Sequence, residues 1–349
     1  MSALLAATLA QRAAGDGAVP VAAWMAACNA SYYATAPGPG RDFATAPGMT
    51  QAFGELLGLW MADLWVRAGQ PAHARVAELG PGRGTMLADA LRAARAAGFA
   101  PASVELVETS PALRAEQAAR LPGARWYAHI EALPDRGPLL LLANEFLDAL
   151  PVRQLVRSGG QWRERCVAWD AATGRGRPVA GAAVDPALVP AELRAAPDGA
   201  LYERPEAAAA LVAGLGRRLV AGGGAALFID YGHEGPALGE TLQAVRAGTP
   251  ADPFSAPGQA DLSAHVDFAA IAAAARAAGC VVHGPVPQGP FLARLGLHLR
   301  TAALARANPA AAPALRAAAA RLTDAAQMGA LFKALAITAP GWPVPAGLA

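Results

Sequence analysis

The chain has 349 residues, of which 54% are hydrophobic, and it carries a formal net charge of +2 at pH 7. This length and apolar content allow a large core and one elaborated domain. The small charge and dispersed arginines do not indicate a nucleic-acid-binding surface, and the three cysteines and six histidines lack the spacing of a metal site, so no bound metal is expected.

The first residues, "MSALLAATLAQRAAGDG", are too short and too early interrupted by polar residues to form a membrane-spanning helix. They also lack the basic segment of a secretory signal. We therefore expect a cytoplasmic protein that does not insert into a membrane. Further on, "FGELLGLWMADLW" predicts a helix whose Trp60 and Trp65 pack in the core.

A strand, a glycine-rich turn and a helix are predicted over "RVAELGPGRGTMLADALRAA". Gly80, Gly82 and Gly84 lack side chains and adopt positive φ readily, so the backbone there can approach a ligand closely. The dinucleotide fingerprint G-x-G-x-x-G would need a third glycine where Thr85 stands, which disfavours NAD. An acid at the strand end, Glu78, suits a cationic ligand better than a pyrophosphate, so the turn favours S-adenosylmethionine.

A second acid follows the next predicted strand, in "SVELVETSP". Glu108 ends this strand, where a doubly wound fold presents an acid to the ribose hydroxyls of a nucleotide. Ser110 and Pro111 then open a helix as its N-cap and first residue. The alternative for Glu108 is a solvated carboxylate without a ligand.

The remaining pattern continues a doubly wound α/β sheet of seven strands. The apolar run 139–143 predicts a fourth strand covered on both faces, and "AALFIDYGH" predicts a buried fifth strand that ends at Asp230. Between them, the alternation around Gly159 and Gly160 predicts a hairpin, and residues 171–200 are predicted to be irregular. "AAIAAAARAAGCVVHGPV" predicts a helix and a strand, and "MGALFKALAIT" predicts a last strand that closes the edge of the sheet.

We divide the chain into four parts. Residues 1–74 form an N-terminal helical cap and residues 75–156 the first part of a Rossmann-like core that binds S-adenosylmethionine. Residues 157–200 form a hairpin and irregular insertion, and residues 201–349 complete the core with C-terminal insertions and an edge strand.

Eight motifs in this order carry a family resemblance: "AELGPGRGT", "VETSPALRAEQ", "NEFLDALPVRQLV", "WRERCVAW", "FIDYGH", "PGQADLSAHVDFAAI", "GPVPQGPFLARLG" and "MGALFKALAI". Together they resemble the MidA family of class I S-adenosylmethionine-dependent methyltransferases. The resemblance implies a seven-stranded methyltransferase sheet with a helical N-terminal cap and S-adenosylmethionine as cofactor. It also implies a protein substrate methylated on arginine, which for the mitochondrial members is a respiratory complex I subunit.

The cap motif of the family is present with two departures. In "GRDFATAPGMTQAFGE", Arg41 stands for the usual glycine and Gly48 for the usual glutamate. These departures leave open an alternative, a non-catalytic methyltransferase-like assembly factor that binds the cofactor and a protein partner. A nicotinamide oxidoreductase remains the third and least favoured hypothesis.

Two sets of site residues follow from these motifs. If the acceptor is a guanidinium, carboxylates must hold it, because its paired N–H groups match carboxylate oxygens. Some candidates have structural alternatives, a helix cap for Asp148 and a hydrogen-bonded structural histidine for His265. The catalytic candidates are Asp42, Glu145, Asp148, His265 and Asp267. The cofactor-binding candidates are Glu78, Gly80, Pro81, Gly82, Gly84, Thr85, Glu108, Thr109, Ser110, Asn144 and Glu145.

Overall fold

The computed structural model describes residues 18–35, 45–170 and 172–348 of the chain. Its α-helices are α1 (Val21–Thr35), α2 (Ala46–Met49), α3 (Gln51–Arg67), α4 (Thr85–Ala96), α5 (Pro111–Arg120), α6 (Glu206–Gly222), α7 (Phe268–Ala277), α8 (Gln288–Arg294), α9 (Leu297–Ala307), α10 (Ala312–Thr323) and α11 (Met328–Leu331).

The strands are β1 (Val19–Pro20), β2 (Arg75–Leu79), β3 (Val104–Val107), β4 (Arg125–Tyr127), β5 (Leu139–Asn144), β6 (Arg153–Ser158), β7 (Gln161–Asp170), β8 (Arg175–Ala183), β9 (Leu201–Arg204), β10 (Gly224–His233), β11 (Gln243–Arg246), β12 (Thr249–Ala251), β13 (Asp261–Ser263), β14 (Val266–Asp267), β15 (Val281–Pro287) and β16 (Phe332–Thr338).

The chain forms two compact units, each built from three segments. The antiparallel-sheet unit comprises Met1–Ala36, Leu147–Ala210 and His233–Ile271. The parallel-sheet unit comprises Pro37–Phe146, Leu211–Gly232 and Ala272–Ala349. The four-part division made from the sequence stays a prediction.

Seven strands of the parallel-sheet unit run in the order β15-β16-β10-β5-β2-β3-β4. The five strands from β10 to β4 are parallel, while β16 runs antiparallel to both β10 and β15. In this register Leu79 at the end of β2 lies opposite Val107 of β3 and Ala143 of β5. The carboxyl ends of neighbouring strands therefore meet at one edge of the sheet, where open α/β folds bind their ligands. The doubly wound sheet predicted from the sequence is confirmed, but the strand predicted to close its edge, β16, lies between β10 and β15, and β15 forms the edge.

The helix that follows the glycine turn is held by close packing of two helices. A Cβ on Gly58 of α3 would lie 2.0 Å from the backbone oxygen of Ala90 in α4, so only glycine permits this approach. Trp60 of α3 is buried in the same core, and Trp65 packs against Phe99 with ring centroids 5.0 Å apart. The prediction that both tryptophans are core residues is confirmed.

The antiparallel-sheet unit contains a sheet in which β7 pairs with β1, β6 and β8. The predicted hairpin is confirmed, because β6 and β7 pair around the turn at Gly159 and Gly160. The irregular stretch predicted for 171–200 is wrong in part, since β8 forms a strand there despite its glycines and proline. It pairs with β7 from Arg175 opposite Asp170 to Ala183 opposite Arg163, so backbone pairing with a long neighbour outweighs its weak strand propensity.

Three further findings concern the described part of the chain. None of its helices combines the length and the apolar content that a membrane crossing requires. Within the same residues, no group of three or more histidine, cysteine, aspartate or glutamate side chains is arranged to hold a metal ion. Cys28, Cys166 and Cys280 are buried free thiols.

Candidate functional site

The glycine turn after β2 adopts the conformation that its sequence predicts. Gly80, Gly82 and Gly84 have φ values of 59°, 52° and 77°, in the left-handed region that favours glycine. Gly84 is the N-cap of α4, and its backbone N–H donates to the Pro81 oxygen at 2.7 Å. The turn thus leads directly into the N-terminus of α4, with Thr85 as its first residue.

The turn after β5 packs on this glycine turn. Asp230 was predicted to end its strand, but β10 continues to His233. The Asp230 side chain is buried and accepts a hydrogen bond from the backbone N–H of Phe146 at 3.1 Å and one from that of Tyr231 at 2.9 Å. The Phe146 ring in turn lies against Gly80. Asp230, which the sequence identified only as a strand end, therefore fixes the segment that follows β5.

Glu78 is a buried carboxylate next to the glycine turn. Its Oε2 atom has no hydrogen-bond partner among the described residues. Burial, followed by the charge of Glu108, raises the pKa of the Glu78 carboxyl to about 8. Because an unpartnered buried carboxylate is costly, a cationic group bound beside it would stabilise its ionised form.

Glu108 is also buried, and its side chain is held by several hydrogen bonds. Its Oε1 atom accepts from the backbone N–H groups of Thr109 and Ser110, each at 2.8 Å. Its Oε2 atom accepts from the Gln117 side chain at 3.2 Å, and its backbone oxygen accepts from Arg114. Burial raises the pKa of this carboxyl, and the hydrogen bonds and the Arg114 charge partly offset that rise.

Ser110 caps α5 as the sequence predicts. Its hydroxyl accepts from the Leu113 N–H at 3.4 Å, and Pro111 is the first residue of the helix. This cap fixes the start of α5, the helix that carries Arg114 and Gln117. Both of these residues contact Glu108, and neither was identified from the sequence as a site residue. The only local signal was their position in "VETSPALRAEQ", one of the motifs of the family resemblance.

Glu145 follows β5 in a strained conformation. Its φ is 51°, a value that residues other than glycine rarely adopt. Its backbone N–H donates to the Ile229 oxygen at 2.9 Å, and its Oε1 accepts from the Asn144 side chain at 3.0 Å. Such strain persists only where the surroundings impose it, and it is frequent at functional sites.

Asp148 lies in the antiparallel-sheet unit, close to a second acid that the sequence analysis did not select. Buried Asn29 bonds to the backbone of the residue after Asp148 and of the residue after Asp261. The Tyr33 hydroxyl donates to Asp261 at 2.6 Å. Burial and the charges of Asp261 and Asp148 raise the pKa of Tyr33 well above its usual value. The charge of Asp148 therefore acts on Tyr33 together with that of Asp261, and no helix of the described residues begins beside Asp148.

His265 and Asp267 lie in the same unit. The His265 backbone N–H donates to the Thr241 hydroxyl at 2.8 Å, and that hydroxyl donates to buried Glu203. Burial and the neighbouring His233 lower the pKa of His265, while Glu203 raises it.

The Asp267 side chain accepts from the Ala270 N–H at 3.1 Å, in the manner of a cap for the start of α7. Asp42 lies outside the described residues. The catalytic roles of Asp42, Asp148, His265 and Asp267 stay predictions.

The parallel-sheet unit brings together the predicted cofactor residues at the ends of β2, β3 and β5. Their chemistry fits S-adenosylmethionine. The glycine turn and the α4 N-terminus present backbone groups without side chains over them. Glu78 has a carboxylate oxygen without a partner among the described residues, which suits a cation. Glu108 has a carboxylate held in place by hydrogen bonds, which suits a hydroxyl.

Comparison with known proteins agrees with this site. Methyltransf_28, a family of S-adenosyl-L-methionine-dependent methyltransferases, matches residues 56–286, which is more than half of the chain. A solved structure of a COG1565 superfamily member from Burkholderia thailandensis, bound to S-adenosyl-homocysteine, is 29% identical with a TM-score of 0.84. The alignment covers 99% of this chain and 94% of that protein.

Two named relatives match most of the chain. The Drosophila melanogaster "Protein arginine methyltransferase NDUFAF7 homolog, mitochondrial" is 35% identical over 377 residues, covering 95% of this chain and 84% of the relative. The Danio rerio "Protein arginine methyltransferase NDUFAF7, mitochondrial" is 34% identical over 311 residues, covering 80% of this chain and 71% of the relative. Because both relatives are named as mitochondrial proteins, the expectation of a cytoplasmic location is wrong.

Proposed function

The chain belongs to the Methyltransf_28 family of S-adenosyl-L-methionine-dependent methyltransferases, and from this premise we propose that it methylates an arginine side chain of a protein. The membership confirms the resemblance to the MidA family. The observation that carries the proposal is the Drosophila melanogaster protein arginine methyltransferase homolog, 35% identical over 95% of this chain.

The residues at the strand ends support a direct transfer. When bound, S-adenosylmethionine would supply a methyl group: the bond from methyl carbon to sulfur breaks as the bond to the acceptor nitrogen forms, S-adenosylhomocysteine leaves, and the nitrogen gives its proton to solvent. Glu108 would hold the cofactor through its fixed carboxylate, and Glu78, when ionised, would favour a cationic ligand over a neutral one. These residues contribute orientation and electrostatic stabilisation and take no covalent part.

Glu145 is our candidate for holding the guanidinium. It follows β5 at the ligand edge of the sheet, its carboxylate matches paired N–H groups, and its strained backbone is imposed by the surrounding turn. We propose Asp42 as the second carboxylate of this clamp. Asp42 comes from the cap motif, so its part rests on the sequence alone.

The test is methyl transfer from isotope-labelled S-adenosylmethionine to a lysate of the source cells, with modified residues identified by mass spectrometry. Parent protein should produce methylarginine, and Glu145→Gln should lower the rate about tenfold or more through loss of alignment. Glu131→Gln, which changes an exposed carboxylate in the same unit, is the matched control and should keep the parental rate.

Two outcomes would contradict the proposal. Methyl transfer to a residue other than arginine would retain the enzyme class and change the acceptor. Cofactor binding and partner capture without any methyl transfer would favour the non-catalytic assembly factor, which the altered cap residues Arg41 and Gly48 keep as the alternative.

A further inference from the structure

We propose that Gln117 is a positioning residue that joins the glycine turn and Glu108 into one hydrogen-bonded unit and so sets the geometry of cofactor binding. Its side chain amide nitrogen donates to the Gly82 backbone oxygen at 2.6 Å and to Glu108 Oε2 at 3.2 Å. The residue is fully buried. The inference rests on the cofactor site and is independent of which acceptor the enzyme methylates.

The orientation of the Gln117 amide is set by Trp126. The indole N–H of Trp126 donates to Gln117 Oε1 at 2.7 Å. An indole nitrogen is only a donor, so the oxygen of the amide must face Trp126 and the NH₂ group must face the turn. Trp126 of β4 therefore determines that the NH₂ group of Gln117 points toward the glycine turn.

The orientation of the Gln117 amide determines which lone pair of the Glu108 carboxylate remains available to a ligand. Oε1 already accepts two backbone N–H bonds, from Thr109 and Ser110, and Oε2 accepts one from Gln117. A carboxylate oxygen has two lone-pair directions, so among the described residues the direction left without a partner is on Oε2. Gln117 thus aims the remaining lone pair that a ribose hydroxyl would use.

Packing makes the arrangement sensitive to the residue at position 117. A Cβ on Gly84 would lie 3.3 Å from Gln117 Cγ, so the glutamine stem packs directly on the glycine turn. Glutamate has the same length and shape, but when ionised it has no donor and would set a negative oxygen against Glu108 and the Gly82 oxygen. Methionine keeps a similar length without any charge or donor.

The test measures the dissociation constants of S-adenosylmethionine and S-adenosylhomocysteine by calorimetry between about pH 5.5 and 8, without an acceptor. At the upper end, Gln117→Glu should bind both about tenfold or more weakly than the parent, since hydrogen bonds to a charged group are lost. Near pH 5.5, the introduced carboxyl regains a proton and can donate a hydrogen bond again. The ratio of its dissociation constants to those of the parent should therefore be smaller there than at pH 8. Gln117→Met should bind about tenfold more weakly at every pH.

Gln288 provides a matched control, because it is also a fully buried glutamine whose amide donates to a backbone oxygen, that of Leu322 at 3.0 Å. Gln288→Glu should lower thermal stability and leave cofactor affinity near the parental value. The proposal is overturned if folded Gln117→Met binds both ligands within a factor of two of the parent. It is also overturned if Gln117→Glu loses cofactor affinity by the same factor at every pH and Gln288→Glu loses affinity by that factor as well. A failure of the arginine assay would leave these binding results unaffected.

Discussion

The ring of Phe146 lies so close to the backbone of Gly80 that a Cβ added to Gly80 would be 2.8 Å from Phe146 Cδ2. This contact joins the turn after β2, which carries the cofactor glycines, to the turn after β5, which carries Glu145. Asp230 accepts a hydrogen bond from the backbone N–H of Phe146 and so fixes the start of the second turn. A change at Gly80 is therefore transmitted to both turns.

Gly80→Ala should weaken cofactor binding by about tenfold or more. The added methyl group would meet Phe146, and the φ of 59° costs an L-residue about 1–2 kcal/mol. Calorimetry with S-adenosylmethionine measures the affinity, and thermal unfolding measures the stability. Gly98→Ala is the control, because Gly98 has a φ of 88° but, apart from its chain neighbours, no atom of the described residues lies within 4 Å of the added Cβ. Equal affinities of the two variants would show that the Phe146 contact has no effect on the site.

Glu78→Gln should flatten the pH dependence of stability. The ordinary pKa of the carboxyl, 4.5, applies in the unfolded chain, and the folded value is about 8. Between these values the folded state holds more protons than the unfolded state, so the free energy of unfolding of the parent falls as pH rises. Chemical denaturation from about pH 5 to 8 measures this slope. A variant with the parental slope would show that Glu78 does not cause it.

Glu108→Gln should weaken S-adenosylmethionine binding about ten- to a hundredfold, because a hydroxyl would lose a charged acceptor. Glutamine keeps an oxygen for the Thr109 and Ser110 N–H groups, so the turn should survive. Glu108→Ala would leave those two N–H groups without their acceptor and should lower stability as well. Calorimetry and thermal unfolding of both variants separate the two effects. Parental affinity in Glu108→Gln would mean that the carboxylate has no ligand.

Glu145→Gly and Glu145→Ala should both lower methyl transfer about tenfold or more, since each removes the carboxylate. Their stabilities should differ. Glycine adopts a φ of 51° without strain whereas alanine does not, so the glycine variant should be more stable by about 1 kcal/mol. Urea denaturation measures the difference. An alanine variant as stable as the glycine variant would show that no strain is stored at this position.

The local parts of the site were predictable from the sequence, and the parts that depend on distant partners were not. Gly84 and Ser110 each bond to a residue three positions away in the chain, so their motifs identify them. Gln117 acts on Gly82, 35 positions away, and on Glu108 and Trp126, each nine positions away. Nothing near Gln117 in the sequence shows that these three residues converge on it.

The same limit applies to the fold. The buried strand β5 is evident from its apolar run, whereas β8 has no alternation and exists because β7 extends far enough to pair with it. The role of Asp230 depends on parallel pairing of β10 with β5, which brings the end of one strand beside the turn after the other.

The position of β16 between β10 and β15 has a consequence for synthesis on the ribosome. β10 ends at His233, and β16 begins about 100 residues later, which takes roughly 5–20 s to translate. During that interval the edge of β10 that will receive β16 is unpaired, and β15 has no neighbour in the sheet. That edge includes apolar Leu227 and Ile229, and an unpaired apolar edge is a template for pairing with other chains. The nascent chain therefore carries an unpaired sheet edge until residues 332–338 have left the ribosome.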